Sequence, residues 1–242
     1  MAGRRRPPGR RDVRLRSTIA RAAGHGAEVT VACATRGEAG EVEPDFPADA
    51  DLGTVREAEL RRAAAILGVA RVELLGYRDS GFDGGQAPGS LCAAPVAEVA
   101  EVLARLVGEI DPAVVVVLDG SDGHRDHLQV RGAVLAALAA TPVGPALYES
   151  CLPNSLLRRW LDEMRSVRPD AAYHTLDPAR LGRRDDEITH VIDTTDVLAR
   201  REAAIAEHRS QTSPFDGLSE GLRRAFLATD HLAEVVLPCH GA

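Results

Sequence analysis

Residues 113–127 read AVVVVLDGSDGHRDH: an unbroken aliphatic run that opens into a polar, glycine-bearing turn carrying two histidines. Six apolar residues without alternation do not suit a strand with one wet face. They fit a strand buried on both sides, as in parallel sheets. Asp111-Pro112 closes the helical pattern before it, because proline disfavours helical geometry in the residue ahead. Helical spacing flanks the strand at 94–110 and 128–140. Working outward, strands are expected at 28–35, 71–75, 146–150 and 188–192, and helices at 17–23, 54–67, 155–167, 195–209 and 219–229. Gly68 is placed to end the second of these helices. This alternation predicts an α/β fold, a Rossmann-like, mostly parallel sheet with right-handed crossovers and helices on both faces. Ligands in such sheets bind at loops beyond the carboxyl ends of the strands.

Three glycine-containing polar loops fall at those ends. They are Thr35-Arg36-Gly37-Glu38-Ala39-Gly40, Gly76-Tyr77-Arg78-Asp79-Ser80-Gly81, and the segment from Asp119 to His127. Taken singly, Gly and Asp in these places do no more than make turns. The third loop says more: two imidazoles three residues apart, with a carboxylate between them, suit metal ligation or acid–base work.

Composition narrows the class. The 242 residues are 45% hydrophobic and 27% charged, as in a globular protein. No apolar run approaches the ~20 residues that span a bilayer, and the basic start is not followed by a signal-like apolar stretch, so a cytoplasmic protein without membrane contact is expected. Cys33, Cys92, Cys151 and Cys239 are far apart and form no CxxC pair. The net charge is −7, although seven arginines crowd into residues 1–16. The acidic remainder does not suit a nucleic-acid partner, and no GxGxxG follows any expected strand. Two parts result: an aberrant Arg-rich segment, 1–16, and a single domain, 17–242.

With these pieces in place, the chain resembles the PIG-L (LmbE-like) family of zinc-dependent N-deacetylases, in its actinobacterial branch. His124-Arg125-Asp126-His127 is similar to the family's His-Pro-Asp-His motif, with Arg for Pro. GEAG, GYRDSG and Glu207-His208-Arg209-Ser210-Gln211 also look like family segments. The resemblance implies a hydrolase that removes acetyl from an N-acetylglucosamine-type substrate, as in the mycothiol pathway, with zinc as cofactor. It implies His127 as a zinc ligand, His124 as the catalytic group that stabilises the tetrahedral intermediate and protonates the leaving amine, and Asp126 as the carboxylate orienting His124. It places Arg56, Asp79, Ser80 and His208 on the substrate side. For Arg56, a solvated helix charge is the competing reading. His25, His174, His190, His231 and His240 read as surface or cap residues, and Trp160 as packing.

One family motif is missing. Ala-His-Pro-Asp-Asp-Glu, the source of two zinc ligands and the general base, should precede the first helix. The corresponding residues are Arg6-Pro7-Pro8-Gly9-Arg10-Arg11-Asp12-Val13-Arg14. The chain has no Lys and its only Asn is Asn154, which indicates GC-rich codons. In such codons Ala-His-Pro-Asp-Asp-Glu-Thr-Phe-Gly is GCC CAC CCG GAC GAC GAG ACG TTC GG. Read from its third base, the string spells Pro-Pro-Gly-Arg-Arg-Asp-Val-Arg, which is residues 7–14. The N-terminus therefore reads as an out-of-frame metal motif, with the opening strand lost alongside it. A basic arm for a polyanion is the competing reading of the same segment. Weak zinc binding and little deacetylase activity follow for this polypeptide. The alternative is an inactive sugar-binding or regulatory protein on the same scaffold.

Overall fold

Local sequence chemistry sets the element ends. In the computed structural model, the described residues are 16–40, 42–43, 45–47, 49–81, 85–139, 144–167, 177–211, 213 and 215–237. In chain order they form α1 (Arg16–Gly24), β1 (Thr30–Cys33), α2 (Leu52–Leu67), β2 (Arg71–Leu74), α3 (Val96–Ile110), β3 (Val114–Leu118), α4 (Arg125–Ala139), β4 (Ala146–Cys151), α5 (Asn154–Val167), β5 (His190–Asp193), α6 (Leu198–Ala206), α7 (Glu220–Leu227) and β6 (Thr229–Val235). Helix α2 starts at Asp51, whose side chain accepts from the amides of Gly53 and Thr54. It stops at Gly68, which takes a left-handed φ of 82° and returns its N–H to Ala64 and Ala65. Helix α3 stops at Asp111, also left-handed, immediately before Pro112.

The strands fall into two sheets. β1 pairs with β2 in parallel, and β3 pairs with β4 in parallel, as the alternation predicts. β6 is a strand the sequence reading misses. It runs antiparallel to both β4 and β5, giving the order β3-β4-β6-β5. The expected mostly parallel sheet thus holds for the first four strands, and its far side is antiparallel. The β6 segment, TDHLAEV, carries Asp, His and Glu among its apolar residues. Its strand conformation comes from two flanking partners, since its local preference is weak.

Three apolar clusters hold the layers together. Leu91, Val99, Ala100 and Leu103 pack with Val117 of β3 and with Ala133, Ala137 and Leu138 of α4. Ala34, Leu75 and Tyr77, just beyond β1 and β2, join that same cluster, so the α3–α4 layer serves both sheets. A second cluster joins α5 and α7 around Leu161, Trp160, Leu222 and Leu227, which gives Trp160 a packing role. A third joins α1, α2 and α6 through Ala20, Ala63, Leu67 and Ala204. No disulfide joins Cys33, Cys92 and Cys151. Residues 1–15, with Asp12 and the Arg-rich run, lie outside the described residues, as do His174, Cys239 and His240.

Candidate active site

Strand β3 delivers its chain to the carboxyl edge of the sheet, where Gly120 (φ 71°) and Gly123 (φ 77°) turn it into α4. Asp122 sits inside that turn with its side chain only 2% exposed. Its Oδ1 accepts from His124 N–H at 3.1 Å, and its Oδ2 meets His127 Nδ1 at 2.8 Å. Because α4 begins here, residues three apart share a face, and the His124 and His127 ring centroids lie 4.8 Å apart. A carboxylate on Nδ1 fixes the proton there and leaves the lone pair of His127 on Nε2, the arrangement of a metal-ligating histidine with its outer carboxylate.

The residue that meets His127 in this way is Asp122, to which the sequence reading assigns no role of its own. Its Asp-Gly-His spacing, an Asx-type turn ahead of a helix, is the signal that could have singled it out. Asp126 is placed differently from its expected role. Its backbone N–H donates to His124 Nδ1 at 3.2 Å, which puts the proton of the neutral imidazole on Nε2. Its buried carboxylate accepts from Ser80 N–H at 3.0 Å and from the Cys92 thiol at 3.2 Å. Burial holds His124 below the ordinary imidazole range. Neighbouring His127 pushes the same way, against the pull of Asp126, Asp79 and Asp122. Burial also raises the Cys92 thiol.

The second loop meets this cluster through Ser80 and Asp79. Ser80 is buried: its N–H goes to Asp126, and its hydroxyl accepts from Cys92 N–H at 2.9 Å. Ser80 therefore ties the two loops together. The Asp79 carboxylate accepts from Gly81 N–H at 2.7 Å. Burial raises its pKa, with further repulsion from Asp126 and Glu38, while Gly81 N–H and His124 oppose. Glu38 Oε1 accepts from Asp79 N–H at 3.0 Å, and its buried Oε2 has no hydrogen-bond partner among the described residues.

Arg56 is 6% exposed, which removes the solvated-charge reading. Its guanidinium donates to the carbonyls of Gly37 and Gly40 and to Ser210 Oγ. Burial lowers its pKa, while Asp79, Glu59 and Glu38 act against the shift. Glu59, one turn further along α2 and 2% exposed, accepts from Ser210 N–H and Ser210 Oγ at 2.7 Å each. Arg56 and Glu59 thus fasten the GEAG loop and the His208–Gln211 segment to one helix face. Sequence reading singles out Arg56 but misses Glu59, although the three-residue spacing of opposite charges is visible there. His208 is buried beside Gln211, 3.4 Å from Nδ1 to Nε2, on the Ser210 side of this network. A cavity of about 190 Å³ opens among Thr35, Arg36, Glu38, Asp51, Tyr77 and Arg78, and neither His124 nor His127 lines it.

Among the described residues, no group of three or more His, Cys, Asp or Glu side chains is arranged to hold a metal ion. His127 with Asp122 behind it fits one zinc position. A catalytic zinc needs about three protein ligands, so the set found among the described residues does not by itself fit the metal that the resemblance implies.

A layered α/β sheet with its chemistry at the carboxyl edge of β3 defines the class, and the comparisons give the family. The chain belongs to the PIG-L family: the family model described as "PIG-L: GlcNAc-PI de-N-acetylase" matches residues 13–138. Among curated relatives, it is 33% identical over 237 residues to the 1D-myo-inositol 2-acetamido-2-deoxy-alpha-D-glucopyranoside deacetylase of Thermomonospora curvata, covering 85% of this chain and 80% of the relative. It is 34% identical over 243 residues to the enzyme of the same name from Thermobispora bispora, covering 88% and 80%. The solved A40926 pseudoaglycone deacetylase Dbv21 has the same fold, with a TM-score of 0.65 at 19% identity, covering 95% of this chain and 93% of that one. No helix among the described residues is long and apolar enough to cross a membrane.

Proposed function

We propose that this chain carries the scaffold of a zinc-dependent N-deacetylase for an N-acetylated aminosugar of the glucosaminyl-inositol type, and that as written it holds only half of the metal site. The single observation that carries this reading is the His124–His127 pair at the end of β3, with Asp122 on His127 Nδ1 and no third metal-binding side chain among the described residues.

The parts that are present have assignable work. His124, neutral and protonated on Nε2, is set to donate to an acetyl carbonyl oxygen and to the oxyanion that develops from it. Asp126 positions His124 through its backbone N–H and locks the second loop through its carboxylate. Asp79 and the unpartnered Glu38 Oε2 supply acceptors for sugar hydroxyls. Arg56, Ser80 and His208 belong to the framework that holds those loops in place. Zinc, in a complete site, supplies an activated water and polarises the carbonyl. No step is assigned to zinc in this chain, and weak zinc binding with little turnover is expected.

The test is metal analysis of the purified chain together with turnover on an N-acetylglucosaminyl-inositol substrate. Substoichiometric zinc and negligible acetate release are expected. Stoichiometric tight zinc with turnover would overturn the half-site reading. A metal-free sugar-binding protein is the second reading, favoured by the intact Glu38–Asp79 loops and the cavity beside them. Calorimetry with an aminosugar in chelator and in zinc separates the two: binding that is equal in both supports the second.

A further inference from the structure

We propose that Arg125 is a positioning residue for substrate: together with Asp126 it grips two consecutive residues of the loop at 76–81, and so aims the Asp79 carboxylate at a sugar hydroxyl. The inference rests on the aminosugar reading above and deepens it, since it names the residue that sets the direction of Asp79.

The grip is made by two neighbours at the start of α4. Asp126 Oδ2 accepts from Ser80 N–H at 3.0 Å, and Arg125 Nε donates to the Gly81 carbonyl at 2.9 Å. One hydrogen bond would leave the loop free to swing about it. Two, from a single helical turn to successive loop residues, remove that rotation. Gly81 then passes the constraint on. Its carbonyl is held by Arg125, and its N–H donates to Asp79 Oδ1 at 2.7 Å. The Gly81 backbone is left-handed, with φ 66°, a conformation that a side chain would strain. Guanidinium, glycine and carboxylate thus form one relay, in which Arg125 reaches Asp79 through a single residue.

The relay decides which oxygen of Asp79 faces a ligand. Oδ1 is engaged by Gly81. Oδ2 accepts no hydrogen bond among the described residues, and it lies toward the first loop, 4.0 Å from the place a Cβ on Gly37 would take. A carboxylate with one oxygen tied and the other open accepts from a hydroxyl in a fixed direction. Little rotational freedom is then lost on binding.

The residue type at position 125 supports a role beyond α4 itself. Position 125 is the first of that helix, where a backbone N–H has no intrahelical partner and a proline, as in the family motif, is well suited. An arginine there gives up that preorganisation, and its charge stands at the positive end of the helix dipole. Neither effect favours arginine for the sake of the helix. Its side chain is half-buried and turned to the second loop, where it supplies a donor that proline lacks.

The test compares the full chain with Arg125→Met, which keeps the aliphatic stem without a donor, and with Arg125→Lys, which keeps a donor and the charge. Amide exchange at Ser80 and Gly81 is read by NMR. Affinities for N-acetylglucosamine and its monodeoxy analogues are read by NMR titration in chelator. In Arg125→Met both amides are expected to exchange at least ~10-fold faster, and N-acetylglucosamine to bind about 10-fold more weakly. Deleting the hydroxyl that Asp79 accepts from should weaken binding to the unmutated chain and leave Arg125→Met almost unaffected. Arg125→Lys should recover most of the affinity and of that discrimination. Unchanged exchange at Ser80 and Gly81 in Arg125→Met, or no recovery in Arg125→Lys, overturns the proposal. So does an equal loss for every analogue, the mark of a merely structural arginine. If Arg125→Met does not fold, Arg125→Pro takes its place, because a first helical position accommodates it and it also lacks a donor. Failure of the unmutated chain to bind any of these sugars would overturn the aminosugar reading and with it the hydroxyl as target, while exchange at Ser80 and Gly81 would still decide whether Arg125 holds the loop.

Discussion

The carboxylate of Asp122 meets His127 Nδ1 at 2.8 Å while also accepting from the backbone of His124, so one buried acid sets both the helix entry and the imidazole direction. Replacing Asp122 by Ala leaves a buried N–H and a ring nitrogen without their acceptor. A loss of about 1–3 kcal/mol is expected in urea unfolding. In a variant that carries Ala-His-Pro-Asp-Asp-Glu in place of the corresponding N-terminal residues, zinc affinity should fall about 10- to 100-fold on this replacement, the usual effect of removing an outer carboxylate. Wild-type zinc affinity in that variant would show that Asp122 does not orient His127.

Glu59 and Arg56 form the other fixed point. Glu59→Ala leaves the Ser210 N–H and hydroxyl without their buried acceptor and removes a negative charge beside Arg56. About 2–3 kcal/mol of destabilisation is expected, with faster hydrogen exchange across 207–211. Arg56→Lys should not restore function, because a point ammonium cannot reach Gly37 O, Gly40 O and Ser210 Oγ together. Full stability of Arg56→Lys would contradict the clamp.

Gly120 is constrained twice. Its φ is 71°, and an added Cβ would lie 2.6 Å from Leu128 Cδ2. Gly120→Ala is expected to cost about 1–3 kcal/mol and to shift the ring-proton resonances of His124 and His127. Adding Leu128→Ala relieves the clash but not the left-handed backbone, so rescue should be partial. Complete rescue would mean that the backbone conformation contributes nothing.

Burial lowers the pKa of His231 from the ordinary value of about 6.5, with Asp185 opposing. His124 is shifted in the same direction. A histidine whose folded pKa is depressed contributes stability that is fully present above the unfolded value and is lost as pH falls toward the folded one. Thermal midpoints should therefore drop as pH falls below about 6.5, and His231→Gln should flatten part of that slope. An unchanged slope in the variant would remove His231 from the account.

Much of this layout is legible in the chain because it is local. Aliphatic runs, proline and glycine stops, and helical spacing place β3, α2 and α3 nearly to the residue. The interval of three brings His124 and His127 onto one helix face whatever packs above them. The second half of the site was harder to read. The roles of Asp122 and Asp126 turn on which partners the β3–α4 turn and the 76–81 loop bring to their side chains, and composition carries no record of that. Glu59 looks like a helix-surface charge, and Arg56 stands between that reading and the substrate side, until the segment at 207–211 folds over them.

The order and chemistry of the strand-end loops and the spacing of the paired histidines were determined by the linear sequence, since each depends on neighbours within a few residues. Which carboxylate faces which ring, the antiparallel course of β6 and the division between β1 and β3 were decided by tertiary structure. Each of these depends on hydrogen bonds and burial between segments far apart in the chain, and their energies exist only once the layers have packed.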